Sequence, residues 1–417
     1  MQIALIGAGA RGLLYARYAF DVFGYEIVAV ADINAERLAY ARDLFGVPDS
    51  MCFSDGLDLI SSSVKLDALI VASQDKDHYA QVMAALDKGW DILLEKPISP
   101  NPKECLDICA KAEEKGCSVT VCHVLRYTPF FVKLKEILDS GVLGKIITIN
   151  HTENIGNFHM AHSFVRGNWR KSEESSPIIM QKSCHDMDLL FWLTGSDACR
   201  ISSFGELSYF KAQNAPKGSA DRCLDCAIAK DCRFDARKVY LPGAGAWPST
   251  VLTLDQSEEG LMQAFREGPY GRCVYKCDND VCDHQSSIIE FENGVTATFA
   301  LSGMTNRICR TIHVMCEDGE IHGDDEKGEI IITRFRSNNV DSYHQEKIQI
   351  GVVQGGHGGG DVGLMEDFAA SLGSASAGES RTSISKSIES HLMACAAEES
   401  RVTGGTVCMA EYKKRFS

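Results

Sequence analysis

The segment Ile3-Ala4-Leu5-Ile6 runs without a break into Gly7-Ala8-Gly9-Ala10-Arg11-Gly12, and the pattern from Gly12 to Phe23 is helical. A buried strand that turns on glycines directly into a helix leaves few folds open. Gly7 permits the tight turn, Gly9 lets a pyrophosphate reach the backbone, and Gly12 lets helix pack closely on strand. The amides of Ala10 and Arg11 open the helix, where the positive dipole end favours phosphate. Asp32 ends the second strand twenty residues after Gly12. A carboxylate there accepts from a ribose 2′-OH and repels a 2′-phosphate, so the expected cofactor is NAD rather than NADP. Arg37 is placed to stack on the adenine.

Ile27–Ala31, 67–72, 91–94 and 118–122 are further short, apolar, β-branched runs, separated by helical patterns at Ala35–Phe45, His78–Lys88 and Pro102–Lys115. Strand and helix alternate five times, which demands a mainly parallel, doubly wound sheet over residues 1–124. From 125 to 417 the rhythm changes. Lys145–Glu153, Ile201–Tyr209, Ser287–Phe299, Thr311–Cys316 and Glu329–Phe335 follow one another as strands, with turn signals at Asn293-Gly294 and Asp318-Gly319. These predict an α/β domain with a large, open, mainly antiparallel sheet whose uncovered face suits a second subunit. Residues 211–285 are irregular and cysteine-rich and read as an insertion; 371–385 read as an exposed linker before a last helix, Ile384–Arg401.

Composition narrows the partners. Of 417 residues, 42 are Lys or Arg and 57 Asp or Glu, a net charge of −15 that repels nucleic-acid backbones and anionic lipid. No apolar run approaches the ~18–20 residues of a membrane span. The chain opens as structure with no signal-peptide pattern, and 17 scattered cysteines suit a reducing cytoplasm better than a disulfide framework.

The fourth strand of the first domain ends in Glu95-Lys96-Pro97. Residues leaving the carboxyl edge of a parallel sheet face the ligand crevice, so Lys96 is placed to orient a substrate hydroxyl, with Glu95 beside it. Together with the Gly7–Gly12 turn, Asn168-Trp169-Arg170 and the run Lys182–Asp188, this motif resembles the glucose-fructose oxidoreductase, inositol dehydrogenase and rhizopine-catabolism (Gfo/Idh/MocA) family. The resemblance implies NAD-dependent hydride transfer at a sugar or cyclitol carbinol, with Lys96 as the motif lysine and His185 as the catalytic histidine. Many members carry an Asp four residues before that histidine; here Gln181 stands in its place. Gln181, Lys182, His185 and Asp188 fall near one helical face.

By resemblance and chemistry together, Ser73, Gln74 and His78 after the third long strand, and His123 and Arg126 after the fifth, line the cofactor cleft, Arg126 facing substrate. Asn154, His159 and His162 offer amide and imidazole groups to a sugar, while Trp169 and Arg170 offer a plane and a fork beside the cofactor. His357, among five glycines in 355–360, resembles a glycine-histidine segment of the family's NAD-dependent α-N-acetylgalactosaminidases and is a further substrate candidate.

Cys223-x2-Cys226-x5-Cys232 has metal-ligand spacing, and Cys273-x3-Cys277-x4-Cys282 follows it. The preferred reading is a structural zinc on Cys223, Cys226, Cys232 and Cys277, with Cys273 the alternative fourth ligand; reduced packed thiols or an iron–sulfur cluster are the competing readings. For the whole chain, the leading reading is an NAD-dependent sugar or cyclitol dehydrogenase. The alternatives are a redox-neutral glycosidase or lyase working through a transient keto-sugar, and a nucleotide-sensing regulator without turnover.

Overall fold

The computed structural model describes residues 1–335, 344–351, 356–372 and 379–416. Gly355 and residues 373–378 of the proposed linker lie outside these residues. Six strands form one parallel sheet in the order β3-β2-β1-β4-β5-β6: β1 Gln2–Ile6, β2 Glu26–Ala31, β3 Cys52–Phe53, β4 Ala68–Val71, β5 Asp91–Leu94 and β6 Val119–Val121. Ala68 to Val71 are all buried, as a strand covered on both faces requires. The intervening helices are bounded by local chemistry. Asn34 caps Ala35–Phe45 by accepting from the amides of Glu36 and Arg37 at 3.0 and 3.1 Å. Asn101 and Pro102 start Pro102–Lys115, which ends on left-handed Gly116. Strand order turns between β1 and β4, the position at which such sheets bind ligands.

The second sheet has nine strands in the order β14-β13-β12-β11-β7-β10-β9-β8-β15: β7 Ile146–Asn154, β8 Ala198–Glu206, β9 His284–Phe291, β10 Thr296–Ser302, β11 Cys309–Cys316, β12 Gly319–Asp324, β13 Glu329–Arg334, β14 His344–Gln349 and β15 Val407–Cys408. All its pairings are antiparallel except β7 with β10. Its inner face is covered by the helices Cys184–Thr194 and Ile384–Thr403. The outer face exposes Phe204 (67%) and Ile288 (57%). Ile384–Thr403 also packs against Pro102–Lys115, and the Val121 amide donates to the Thr382 carbonyl at 2.9 Å, so the C-terminal segment binds both halves together.

Several details differ from the sequence reading. Ser287–Phe299 is a hairpin, β9 and β10, folded at Gly294 with φ +87°. Strand β8 begins and ends three residues earlier than expected, because the Asp283 carboxylate accepts from the amides of Ser208 and Tyr209 (2.9 and 2.6 Å) and draws the chain off the sheet. β3 is too short to carry a periodicity, and β14, His-Gln-Glu-Lys-Ile-Gln, is a polar edge strand with no apolar alternation to reveal it. The helix after the glycines runs from Gly360 to Ser371. Residues 211–285 fold around a small core of their own that includes Tyr240, Leu261 and Phe265. Among the described residues no helix is long and apolar enough to cross a membrane.

Candidate active site

At the switch point, Gly7 has φ +89°, and a Cβ on it would overlap the Ala72 carbonyl leaving β4; a Cβ on Gly12 would overlap the Gly7 carbonyl. These two positions make a backbone cradle that only glycine allows. Gly9 caps the helix Ala10–Asp21 without any side-chain cap, leaving its first amides open for an anion. The Asp32 carboxylate accepts from the amides of Ala8 and Asn34, both at 2.7 Å, and so stands at the rim of the turn. Beside it Ile33 is 86% exposed, an apolar surface suited to an adenine, which no sequence signal had marked. The Arg37 guanidinium lies over Gly9 and reaches the Val251 carbonyl of the insertion at 3.5 Å. Cradle, open amides and rim carboxylate fit an NAD molecule across β1 and β4.

The other cleft residues divide. Gln74 is exposed, and Ser73 Oγ donates to Gln81 at 2.7 Å. His78 is buried, with Nδ1 against the Pro97 carbonyl (2.8 Å), so it braces the strand exit rather than opening to the groove. Arg126 is likewise not a ligand contact. Its guanidinium donates to both Asp188 oxygens (2.7 and 2.6 Å) and to the Lys386 carbonyl (3.0 Å), and is buried there. Asp188 is thereby turned from the cleft it was expected to share. The single helical face expected across Gln181–Asp188 is in fact two helices, Ile178–Gln181 and Cys184–Thr194, broken at Lys182-Ser183.

Lys96 bridges the halves, its Nζ donating to the Gln181 carbonyl at 2.6 Å. The Gln181 side chain turns away, donating to Ser175 Oγ at 2.5 Å, so the chain replaces the expected carboxylate partner with a main-chain oxygen. Glu95 anchors the motif from behind: it accepts from Arg11 Nε (2.9 Å), the Tyr15 hydroxyl (2.8 Å) and the Lys96 amide (3.0 Å). Arg11 also pairs with Asp361 (2.5 Å), whose other oxygen faces His357 Nδ1 at 3.3 Å. His357 is held at φ 49°, an uncommon conformation for a residue other than glycine.

His185 is 5% exposed, and its Nδ1 has no hydrogen-bond partner among the described residues. Its ring lies 5.7 Å from that of His123 and 6.1 Å from that of His357. Burial, then the Lys96 ammonium and the neighbouring imidazoles, hold His185 well below the usual histidine range, so it is a neutral base at pH 7. Burial and then Arg126 depress His123 in the same way. Beneath them Glu153 pairs with Lys182 (3.2 Å) and Arg310 (2.6 Å), and Arg310 with Asp186 (2.8 Å), which also accepts from His151 (2.8 Å). Burial would raise Asp186, but Arg310 and His151 overcome it and hold it at about 2.

Of the run after β7, Asn154 donates to the Cys309 carbonyl at 3.1 Å and joins β7 to β11. Residues Met160–Arg166 wind as a buried π-helix, a form frequent near functional sites. His159 lies edge-on to Trp247 with centroids 5.0 Å apart; burial and then Lys182 lower it. His162 is stacked on Tyr270 (4.8 Å) and bonded to the Tyr240 hydroxyl (3.1 Å), built into the insertion's packing instead. Trp169 is partly exposed beside Phe164, and Arg170 is committed to Asp278 (2.9 Å) and Glu174 (3.1 Å). Trp247, 46% exposed against His159, lies far away in sequence inside the irregular insertion, where no local signal marks it. Of the cysteines, Cys223, Cys226, Cys232 and Cys273 line one small cavity. Cys277, the expected fourth ligand, does not: its Sγ turns back to the Cys273 carbonyl at 3.3 Å.

Residues 1–123 match an oxidoreductase family's NAD-binding Rossmann fold, and residues 135–409 the same family's C-terminal alpha/beta domain. The Bacillus subtilis protein YteT is 26% identical over 363 residues, 82% of each chain. Inositol 2-dehydrogenase 4 of Saccharopolyspora erythraea is 28% identical over 53% of this chain and 61% of its own length. Levoglucosan dehydrogenase, solved with NADH and levoglucosan, shares the fold with a TM-score of 0.71 at 18% identity, over 98% of this chain and 99% of that one. An Agrobacterium radiobacter oxidoreductase solved with NAD+, L-tartaric acid and magnesium does so at 0.69 and 15%, over 99% of both. With both domain descriptions matched along nearly its whole length, this NAD-binding chain belongs to the Gfo/Idh/MocA oxidoreductase family.

Proposed function

We propose that the protein is an NAD-dependent dehydrogenase acting on a secondary hydroxyl of a sugar or cyclitol. The observation that carries this reading is the pairing of Lys96, fixed to the Gln181 carbonyl, with neutral His185, whose Nδ1 has no hydrogen-bond partner among the described residues. Bound NAD supplies the hydride acceptor. Lys96 donates to the substrate oxygen and orients it; His185 takes its proton as the carbon is oxidised, and returns it in the reverse direction. Lys182, held by Glu153, and His159 face the other hydroxyls, with His357 closing the site beside His185. Trp247 offers its ring to the apolar side of the substrate. Similarity to inositol 2-dehydrogenases and to the fold of levoglucosan dehydrogenase supports this class of substrate.

The insertion serves this reading as scaffold, and a structural metal in it would hold position rather than perform chemistry. The exposed Phe204 and Ile288 on the outer sheet face favour a homodimer or homotetramer, checked by light scattering. The deciding experiment incubates the protein and NAD with hexoses, uronates, amino sugars, inositols and glycosides, following absorbance at 340 nm and bond cleavage together. NADH accumulation with a sugar or cyclitol is expected. Cleavage with no net absorbance change would replace this reading with the redox-neutral one, and NAD binding with no turnover on any of them would replace it with a sensor.

A further inference from the structure

The insertion's cysteines converge although they lie far apart in sequence. Cys223, Cys226 and Cys232 come from one short irregular stretch. The chain returns to them at Arg272, which bridges to Arg222, and the Cys273 amide donates to the Asp221 carbonyl at 2.8 Å. Four thiols thus wall a cavity whose interior holds about 20 Å³, room for a single small atom.

A second observation comes from Arg166, which lines the same cavity and is 1% exposed. Its Nε and Nη2 donate to the carbonyls of Arg272 and Phe234 (both 2.8 Å), and Nη2 also to Cys223 Sγ (3.2 Å), while Nη1 has no hydrogen-bond partner among the described residues. Among the described residues no carboxylate pairs with it. A fully buried guanidinium without a counter-anion is strongly disfavoured. Four thiolates around a divalent cation carry net charge −2 and would supply that anion against the guanidinium.

We propose that Cys223, Cys226, Cys232 and Cys273 hold one structural zinc ion, with Arg166 as its buried charge partner. No three of these sulfurs lie within 4.8 Å of one another in the present conformation, so binding draws them onto the ion at about 2.3 Å each. Four sulfurs leave no open position, so this zinc activates no water. It staples a segment whose own core is small, and that segment carries Trp247 against His159 and the Val251 carbonyl to Arg37.

The test is metal analysis of the full-length protein purified without chelator. One zinc per chain is expected, released when a mercurial reagent titrates the thiols. Cys226→Ser and Cys273→Ser should leave the protein without zinc, whereas Cys277→Ser should keep it. If the serine variants do not fold, the mercurial titration of the unmodified protein still decides. A metal-free protein with freely reacting thiols, iron with its visible absorbance in place of zinc, or zinc lost on Cys277→Ser but kept on Cys273→Ser would each overturn the proposal.

Discussion

Lys96 Nζ donates to the main-chain oxygen of Gln181 at 2.6 Å, a bond that crosses from the first domain to the second. Because the acceptor is backbone, no side-chain substitution at 181 removes it, and the ammonium is positioned by the fold. Lys96→Met should lower kcat by roughly 10²-fold or more while leaving the Kd for NAD within about threefold, and His185→Ala should do the same. Steady-state kinetics with calorimetric NAD titration check both; unchanged turnover in either variant removes that residue from the chemistry.

The Asp32 carboxylate accepts from the Ala8 amide at 2.7 Å and so stands at the rim of the glycine turn. Asp32→Ala should raise KM for NAD about ten- to a hundredfold, the worth of a charged hydrogen bond, and narrow the preference over NADP. An unchanged NAD to NADP ratio of kcat/KM would move the ribose contact elsewhere.

Trp247 meets His159 edge-on from the insertion. Trp247→Ala should raise KM for the carbohydrate about two- to tenfold, the range of an aromatic contact, with NAD affinity unaltered. A loss confined to NAD binding would place the ring on the cofactor side.

Arg126 separates stability from binding. Arg126→Met leaves the Asp188 carboxylate buried and unpaired, which should cost about 3–5 kcal/mol in urea unfolding. The sequence expectation of a substrate contact predicts the opposite pattern, a raised KM with little loss of stability.

Acid should weaken the fold through buried imidazoles. Burial, then His123, lowers His391 to about 3, and burial, then Arg166, lowers His162 to about 4. His391 must be neutral: its Nδ1 donates to the Ser387 carbonyl and its Nε2 accepts from the Ile98 amide. Since both folded values lie below the unfolded value near 6.5, the unfolded chain binds more protons in between. Stability is therefore full above about pH 6.5 and falls as pH drops toward the folded values, by about 1.4 kcal/mol per pH unit for each histidine. Unfolding midpoints measured from pH 7.5 down to 5 check the slope, and His391→Gln should make it shallower.

What the chain discloses before folding follows from how local each feature is. The glycine turn, Asp32 and Glu95-Lys96-Pro97 lie at strand ends, where position along the chain already sets position in space. His78, Arg126 and His162 occupy similar places, yet each is consumed by a partner remote in sequence: Pro97, Asp188 and Tyr240. Whether a polar side chain at a strand end meets ligand or protein depends on those partners. Trp247 and Arg166 matter only once the insertion has folded over the cleft. Cys273 rather than Cys277 lines the insertion's cavity for a similar reason, since the bridge between Arg222 and Arg272 returns the chain there.

Arg11 occupies a variable slot of the glycine signature, and from there it grips Glu95 with one edge of its guanidinium and Asp361 with the other. The loop that would receive the coenzyme's phosphates and the left-handed histidine beyond it are thus yoked through one cation. Loss of either carboxylate would therefore loosen both, because the glycine turn and the segment bearing His357 are braced as one unit.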